Sequence, residues 1–200
     1  MKSCIILCGG RGRRMGRDKG LLLFEGRPLL LHILQSLPPL DEIILVLRDE
    51  EQFGSYQEIL SSFKGKVKVS FDRERDQGPL VGLLTGLSAL ESEKALTIPC
   101  DSPRISPPFV KHMLEYPLEG YDALVPRWAN GQSEPLHAVY SKRRTVPVIE
   151  LLLKQGVRDV KSLFQHLEVL YLEAESLDPR GDTFFNLNLP QDVEDLEKRN

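Results

Sequence analysis

The sequence has few cysteines, one tryptophan, no long apolar run and no excess of positive charge. Each shortage narrows what the chain does. Three cysteines are an odd count with no Cys-x-x-Cys pair, so a disulfide framework and a four-thiolate zinc site are both excluded. No apolar stretch approaches the ~20 residues of a membrane span. The N-terminal run Cys4–Cys8 is too short for a secretory signal core and ends in glycines. The formal charge is −3, from 26 Lys and Arg against 29 Asp and Glu, so the chain as a whole is not built for nucleic acid. The expectation is a reduced, cytoplasmic, soluble protein with neither nucleic acid nor membrane as partner. His32, His112, His137 and His166 share no metal-ligand spacing and read as packing or surface residues. No Gly-x-Ser-x-Gly elbow is present, so a serine nucleophile has no support.

What is present suits one globular domain over residues 1–200. The chain has 200 residues, of which 41% are hydrophobic and 28% charged. Apolar runs bounded by turn residues predict strands at Ser3–Cys8, Glu42–Arg48, Lys66–Phe71 and Ala95–Pro99, with a short one at Leu21–Phe24. Helices are expected from Pro28 to Leu37, around Phe53–Phe63, over Leu80–Leu90 and over Ser106–Tyr116. Beyond these come strands at Ala123–Pro126, Leu136–Tyr140 and Val169–Leu172. Further helices are expected at Pro147–Gln155, Val160–His166 and Gln191–Arg199. Strands alternating with helices mean an α/β fold of three layers, a mostly parallel sheet with helices on both faces. Right-handed crossovers place the loops after the strands on one edge, where such sheets bind ligands. Those loops are 9–20, 48–52, 72–79 and 100–105.

Residues 11–27 hold six basic and two acidic side chains in an otherwise acidic protein, which points to a local anion site. The same segment follows the first strand and is glycine-rich. Glycines let backbone N–H groups approach a phosphate. Arg11, Arg13, Arg14 and Arg17 add forked donors, and Lys19 a point charge. Two phosphate signatures are missing. Lys19 is not followed by Ser or Thr, as a Walker loop requires, and Met15 stands where G-x-G-x-x-G needs glycine. Cys100-Asp101-Ser102-Pro103 follows the fourth strand. Asp101 there suits either a magnesium ion or the organisation of the turn. Trp128, in a polar irregular stretch, suits either stacking on a flat ligand or a lid.

Five segments together resemble a known family. Leu7–Lys19 resembles L-A-G-G-x-x-x-R-M-G-x-D-K of the MobA family, the molybdenum cofactor guanylyltransferases. In order, Gly78–Gly82 resembles G-P-L-A-G, Cys100–Pro103 resembles C-D-x-P, Glu134–Tyr140 resembles H-P-x-x-A-L-Y, and Asn186–Pro190 resembles N-x-N-T-P. The resemblance implies a Rossmann-like nucleotidyltransferase of the glycosyltransferase-A-like type. It implies transfer of GMP from MgGTP to the phosphate of molybdopterin, with pyrophosphate released. It further implies partners that deliver the cofactor or receive it.

Residue by residue, the resemblance assigns Leu7, Cys8, Gly9 and Gly10 to the nucleotide, together with Asp72, Gly78, Pro79, Leu80 and Gly82. Lys19, Arg13 and Asp101 would serve catalysis, with Asp101 the Mg2+ ligand. Asn186 and Asn188 would lie on the pterin side. The chain departs from the family at Cys8, where the family has alanine, and at Val46, aligned with an asparagine. Glu134 and Leu189 replace histidine and threonine. The rival readings are a molybdenum cofactor cytidylyltransferase, an NAD(P)-dependent oxidoreductase and a non-catalytic GTP-binding adaptor. Cys8-Gly9-Gly10, where cytidylyltransferases carry Ala-Ala-Gly, favours guanine, as do Asn186 and Asn188 in place of aspartates.

Overall fold

In a computed structural model of the chain, residues 1–9, 18–72, 78–187 and 192 are described. The expectations for Gly10, Arg11, Arg13, Arg14, Arg17 and Asn188 fall outside these residues. So does the terminal helix over 191–199, Asp192 apart.

The first strand, β1 (Ser3–Leu7), is buried along nearly its whole length. A tight turn at Lys19–Leu21 leads into a small hairpin, β2 (Leu23–Phe24) and β3 (Arg27–Pro28), and then α1 (Leu29–Ser36). Next come β4 (Glu42–Leu47), α2 (Glu50–Ser62), β5 (Lys68–Phe71), α3 (Pro79–Ala89) and β6 (Lys94–Pro99). The second half supplies α4 (Pro107–Glu115), β7 (Ala123–Arg127), β8 (Val139–Ser141), α5 (Lys142–Lys154), β9 (Val169–Glu173) and the short α6 (Ala174–Leu177).

Seven strands form one sheet in the order β5-β4-β1-β6-β8-β7-β9. All neighbours run parallel except β8, which is antiparallel to both β6 and β7. No helix separates β7 from β8, so the chain has no crossover there with which to return parallel. Alternation along the strands divides the core into two layers. Cys4, Ile6, Leu45 and Ile98 pack with α1, α2 and α4 on one face. Ile5, Ile44 and Val46 pack with α3 and α5 on the other. The three-layer expectation holds.

Three local differences have clear causes. Helix α2 begins at Glu50, ahead of the apolar periodicity, because the Asp49 side chain accepts the Gln52 N–H at 2.9 Å and two glutamates fill the first turn. Helix α5 begins at Lys142 and runs through Pro147, held by a buried face of Thr145, Ile149 and Leu152. The strand expected at 21–24 is a turn followed by a two-residue strand of the hairpin.

The topology creates the site. From β1 the chain steps outward to β4 and β5, then returns across the sheet through α3 to β6, on the other side of β1. The loops leaving β1 and β6 therefore diverge, and the crevice between them is where ligands bind in open α/β sheets.

Candidate active site

Both central strands are extended past their ends by single backbone bonds. Cys8 N–H donates to Val46 O at 2.9 Å, and Cys100 N–H donates to Leu7 O at 3.0 Å. These bonds bring Cys8–Gly9 and Cys100–Asp101 side by side. Lys19 Nζ then lies 2.7 Å from Asp101 Oδ2, across 82 residues of sequence. The two side chains keep 24% and 14% of their exposure, so the pair is sheltered but open to a ligand.

A network that the sequence reading passed over holds Lys19 in place. Asp18 accepts from Tyr56 Oη at 2.6 Å and from Gln52 Nε2 at 2.5 Å. Gln52 Nε2 also donates to Cys8 O at 2.8 Å, and its Oε1 accepts Arg48 N–H at 2.6 Å. Gln52 and Tyr56 are buried, and burial together with nearby negative charge pushes the Tyr56 phenol far above its ordinary range. Helix α2 thus fixes the segment just before Lys19. A glutamine at a core position of an amphipathic helix was the available signal.

Asp72 follows β5, its N–H donating to Leu47 O at 2.8 Å. The carboxylate packs directly on Gly9, and a methyl group there would collide with it. A methyl on Gly82, in α3, would meet Asp72 Oδ1 at 3.7 Å and Leu7 Cδ2 at 3.6 Å. Burial raises the Asp72 pKa to about 6. The Thr85 hydroxyl works in the opposite sense. Yet Thr85 Oγ1 and Asp72 Oδ1 fall short of hydrogen-bond geometry and are buried without a partner among the described residues. An orphaned buried acceptor between two glycines suits a ligand that brings N–H or O–H donors.

Gly78 has φ +88°, a conformation glycine favours, and lets Pro79 start α3 as its first residue. Leu80 is fully buried in the core.

Asn186 joins the site from the far end of the chain. Its Oδ1 accepts from Ser102 Oγ at 2.5 Å, and the next residue, Leu187, donates its N–H to Asp101 O at 2.8 Å. Ser102 also contacts His137 Nε2 at 3.0 Å. Trp128 donates Nε1–H to Glu134 at 2.8 Å and stands edge-on to Phe184, so the lone tryptophan is held in place by packing and a hydrogen bond. Cys4, Cys8 and Cys100 are free and buried. No helix among the described residues is long and apolar enough to cross a membrane.

A charged pair at the divergence of a parallel sheet, backed by a glycine-lined carboxylate, marks an α/β domain with a candidate ligand crevice at its strand ends. Comparison with known proteins places it further. The family model of the MobA-like NTP transferase domain matches residues 4–169. A probable molybdenum cofactor guanylyltransferase from Methanothermobacter thermautotrophicus is 39% identical over 96% of this chain and 98% of its own length. Another protein so named, from a Geobacillus species, is 31% identical over 96% of each chain. Among solved structures, molybdopterin-guanine dinucleotide biosynthesis protein A from Archaeoglobus fulgidus has a TM-score of 0.81 at 28% identity, covering 98% of this chain and 97% of that one. A 4-diphosphocytidyl-2C-methyl-D-erythritol synthase from Anaerococcus prevotii shares the fold, with a TM-score of 0.74 at 18% identity, covering 100% of this chain and 95% of that one. The chain belongs to the MobA-like NTP transferase family and is a nucleotidyltransferase.

Proposed function

We propose that this enzyme transfers GMP from GTP to the terminal phosphate of molybdopterin, yielding the guanine dinucleotide and pyrophosphate. The observation that carries the reading is the Lys19–Asp101 pair, set at 2.7 Å at the divergence of β1 and β6.

The acceptor phosphate is already an anion, so the reaction needs no strong base. An oxygen of that phosphate forms a bond to the α-phosphorus while the bond to the bridging oxygen of the β-phosphate breaks and pyrophosphate leaves. The barrier lies in bringing two polyanions together and balancing charge at phosphorus, which positioning and electrostatics supply. Lys19 offers its charge to the phosphates and the leaving pyrophosphate. Tyr56 and Gln52, through Asp18, keep the chain ahead of Lys19 from moving.

The donor set fits magnesium. A single sheltered carboxylate, Asp101, at a strand end is the common protein share of a site completed by substrate phosphates and water. Bound there, magnesium would neutralise phosphate oxygens in the transfer.

Cys8 spends its N–H on Val46 and gives its carbonyl to Gln52, so backbone contacts to the nucleotide fall chiefly to Gly9 and the residues after it. The orphaned Asp72 carboxylate takes the donor groups of the nucleoside. Asn186 serves the acceptor side, the role that the family resemblance implies for it. The setting is the cytoplasm, where reduced cysteines and free nucleotide coexist.

Pyrophosphate release from GTP, magnesium and molybdopterin is the direct test. A thermal shift series with GTP, CTP and ATP tests the base. Stronger stabilisation by CTP than by GTP, with CMP transfer, moves the assignment to the cytidylyltransferase reading.

A further inference from the structure

Two stretches far apart in sequence, 101–102 and 186–187, are stitched together by a pair of hydrogen bonds. One is backbone, Leu187 N–H to Asp101 O at 2.8 Å. The other is the Ser102 hydroxyl to Asn186 Oδ1 at 2.5 Å. Behind them stands His137, with Nε2 at 3.0 Å from the same hydroxyl. Ser102 and His137 are both fully buried.

The strand pairing delivers His137 there. Ala138, the next residue, accepts Thr97 N–H at 2.8 Å and Thr97 Oγ1–H at 2.9 Å. The start of β8 is thereby pinned to β6, the strand that carries Asp101 at its end. Phe184 closes the imidazole from another side, edge-on at 5.4 Å.

The Asn186 amide, which turns its oxygen toward Ser102, sets the direction of the bonds. A hydroxyl has one proton to give, and a carboxamide oxygen only accepts. Ser102 therefore donates to Asn186 and must accept from His137. That requires the tautomer with the proton on Nε2. It leaves Nδ1 bare, and Nδ1 is buried without a hydrogen-bond partner among the described residues. The nearest carboxylate oxygen, Glu134 Oε2, is 3.9 Å away, beyond hydrogen-bond range. Burial without a compensating charge lowers the imidazole pKa to about 3, so the ring is neutral at working pH and its one N–H has one use.

We propose that Ser102 and His137 are positioning residues of the transfer, a buried clamp that fixes Asn186 on the acceptor side against Asp101 on the nucleotide side. The inference rests on the guanylyltransferase reading for the two sides, and on the geometry alone for the clamp. The clamp acts through other residues. Loosening it therefore shifts how the two substrates sit relative to one another, and misplacement of reacting groups by about 1 Å costs on the order of 100-fold.

The first test needs no variant and no substrate. Nitrogen-15 NMR of histidine-labelled protein reads the tautomer of the buried ring. A proton on Nε2 with Nδ1 bare is expected, whereas a bare Nε2 overturns the clamp. The second test separates the substrates. Ser102→Ala and His137→Leu are expected to raise KM for molybdopterin about tenfold, equivalent to one hydrogen bond lost, while GTP affinity stays within about threefold. His137→Gln, whose amide can still donate to Ser102, is expected to restore most of the loss. Equal losses for both substrates, or no gain from glutamine over leucine, overturn the positioning role. A wild-type enzyme that releases no pyrophosphate from GTP and molybdopterin removes the functional reading instead, and the clamp is then judged on the tautomer.

Discussion

The two sides of the crevice are built from opposite materials. At the ends of β1, β5 and β6 the groups are charged or carry orphaned acceptors, and they stay partly open: Lys19, Asp101 and Asp72. Behind them, Ser102 and His137 are neutral, fully buried and bonded to one another. Lys19 can exchange its carboxylate partner for a ligand's phosphates at small cost, because a sheltered but accessible charge keeps part of its hydration, and the carboxylates of Asp101 and Asp72 are then open to a cation or to N–H and O–H donors. Ser102 and His137 cannot exchange partners without leaving a buried polar group unpaired. One side is suited to binding and the other to holding the binding groups in register.

Substitutions on the open side therefore ought to cost activity and spare the fold. The largest effect is expected at Asp101. Asp101→Asn keeps the shape and removes the charge, and kcat is expected to fall on the order of 1000-fold, in the range seen when a charge-stabilising group leaves an active site. Steady-state kinetics with saturating magnesium check this. If the asparagine variant turns over like wild type, Asp101 organises the turn before Pro103 and holds no metal. Lys19→Ala is expected to lower kcat about 100-fold while moving stability by under about 1 kcal/mol. A large fall in melting temperature with normal turnover would make the lysine a structural partner of Asp101.

Gly9 sharpens the contrast, because it stands on the open side yet has no room for a side chain. Its Cα stands so close to the Asp72 carboxylate that a methyl group cannot be added without moving one of them. Gly9→Ala is expected to reduce GTP use by about 1–3 kcal/mol in kcat/KM, the usual size of a small pocket change, and to reduce CTP use less. If the loss runs through Asp72, Gly9→Ala in an Asp72→Ala background costs much less than it does alone. Additive losses would assign Gly9 to the turn.

The same contrast explains what the sequence disclosed. Lys19 lies in a glycine-rich loop and Asp101 two residues beyond a strand, so their pattern is local and readable, whereas Asp72 is legible only through the family resemblance. The parallel sheet was readable for a similar reason: its buried strands are short apolar runs separated by helix-length segments. The anchor formed by Asp18, Gln52 and Tyr56 joins residues 34 and 38 positions apart, and periodicity marks Tyr56 only as core. Ser102 and His137 were harder still. A serine after a motif aspartate and a lone histidine carry no spacing signal, and their partnership exists only once β8 pairs with β6. Of the hairpin at 23–28 only the first strand was expected, because a two-residue strand such as Arg27–Pro28 has no period to detect.

The anchor gives an effect of intermediate size. Tyr56→Phe removes one donor to Asp18 and nothing else, and is expected to cost about 1–2 kcal/mol, with a smaller loss of turnover than Lys19→Ala. Denaturant unfolding measures the first and kinetics the second. Unchanged stability would mean that Gln52 alone holds Asp18.

The smallest effect tests whether a binding group is held at the expense of the fold, and it has a definite sign. The Asp72 carboxyl has an ordinary pKa of 3.8 and is raised to about 6 by burial. The folded protein therefore binds more protons there than the unfolded chain between those values. The stability that the protonated group contributes is complete below about pH 4 and is lost as pH rises through 6. Asp72→Asn removes the ionisation, so it is expected to match wild type near pH 4 and exceed it by about 1 kcal/mol above pH 7, the usual gain when a functional site is relieved of strain. The same variant should bind GTP more weakly, since an amide is a poorer acceptor than a carboxylate for the donors of a nucleoside. Wild-type affinity should likewise decline below about pH 6, where the carboxylate takes up its proton. Unfolding curves and GTP titrations across pH 4–8, on both proteins, measure the two trends together. A stability difference that does not change with pH would show that Asp72 titrates alike in the folded and unfolded chain, and GTP affinity unmoved by the substitution would remove Asp72 from the nucleotide site.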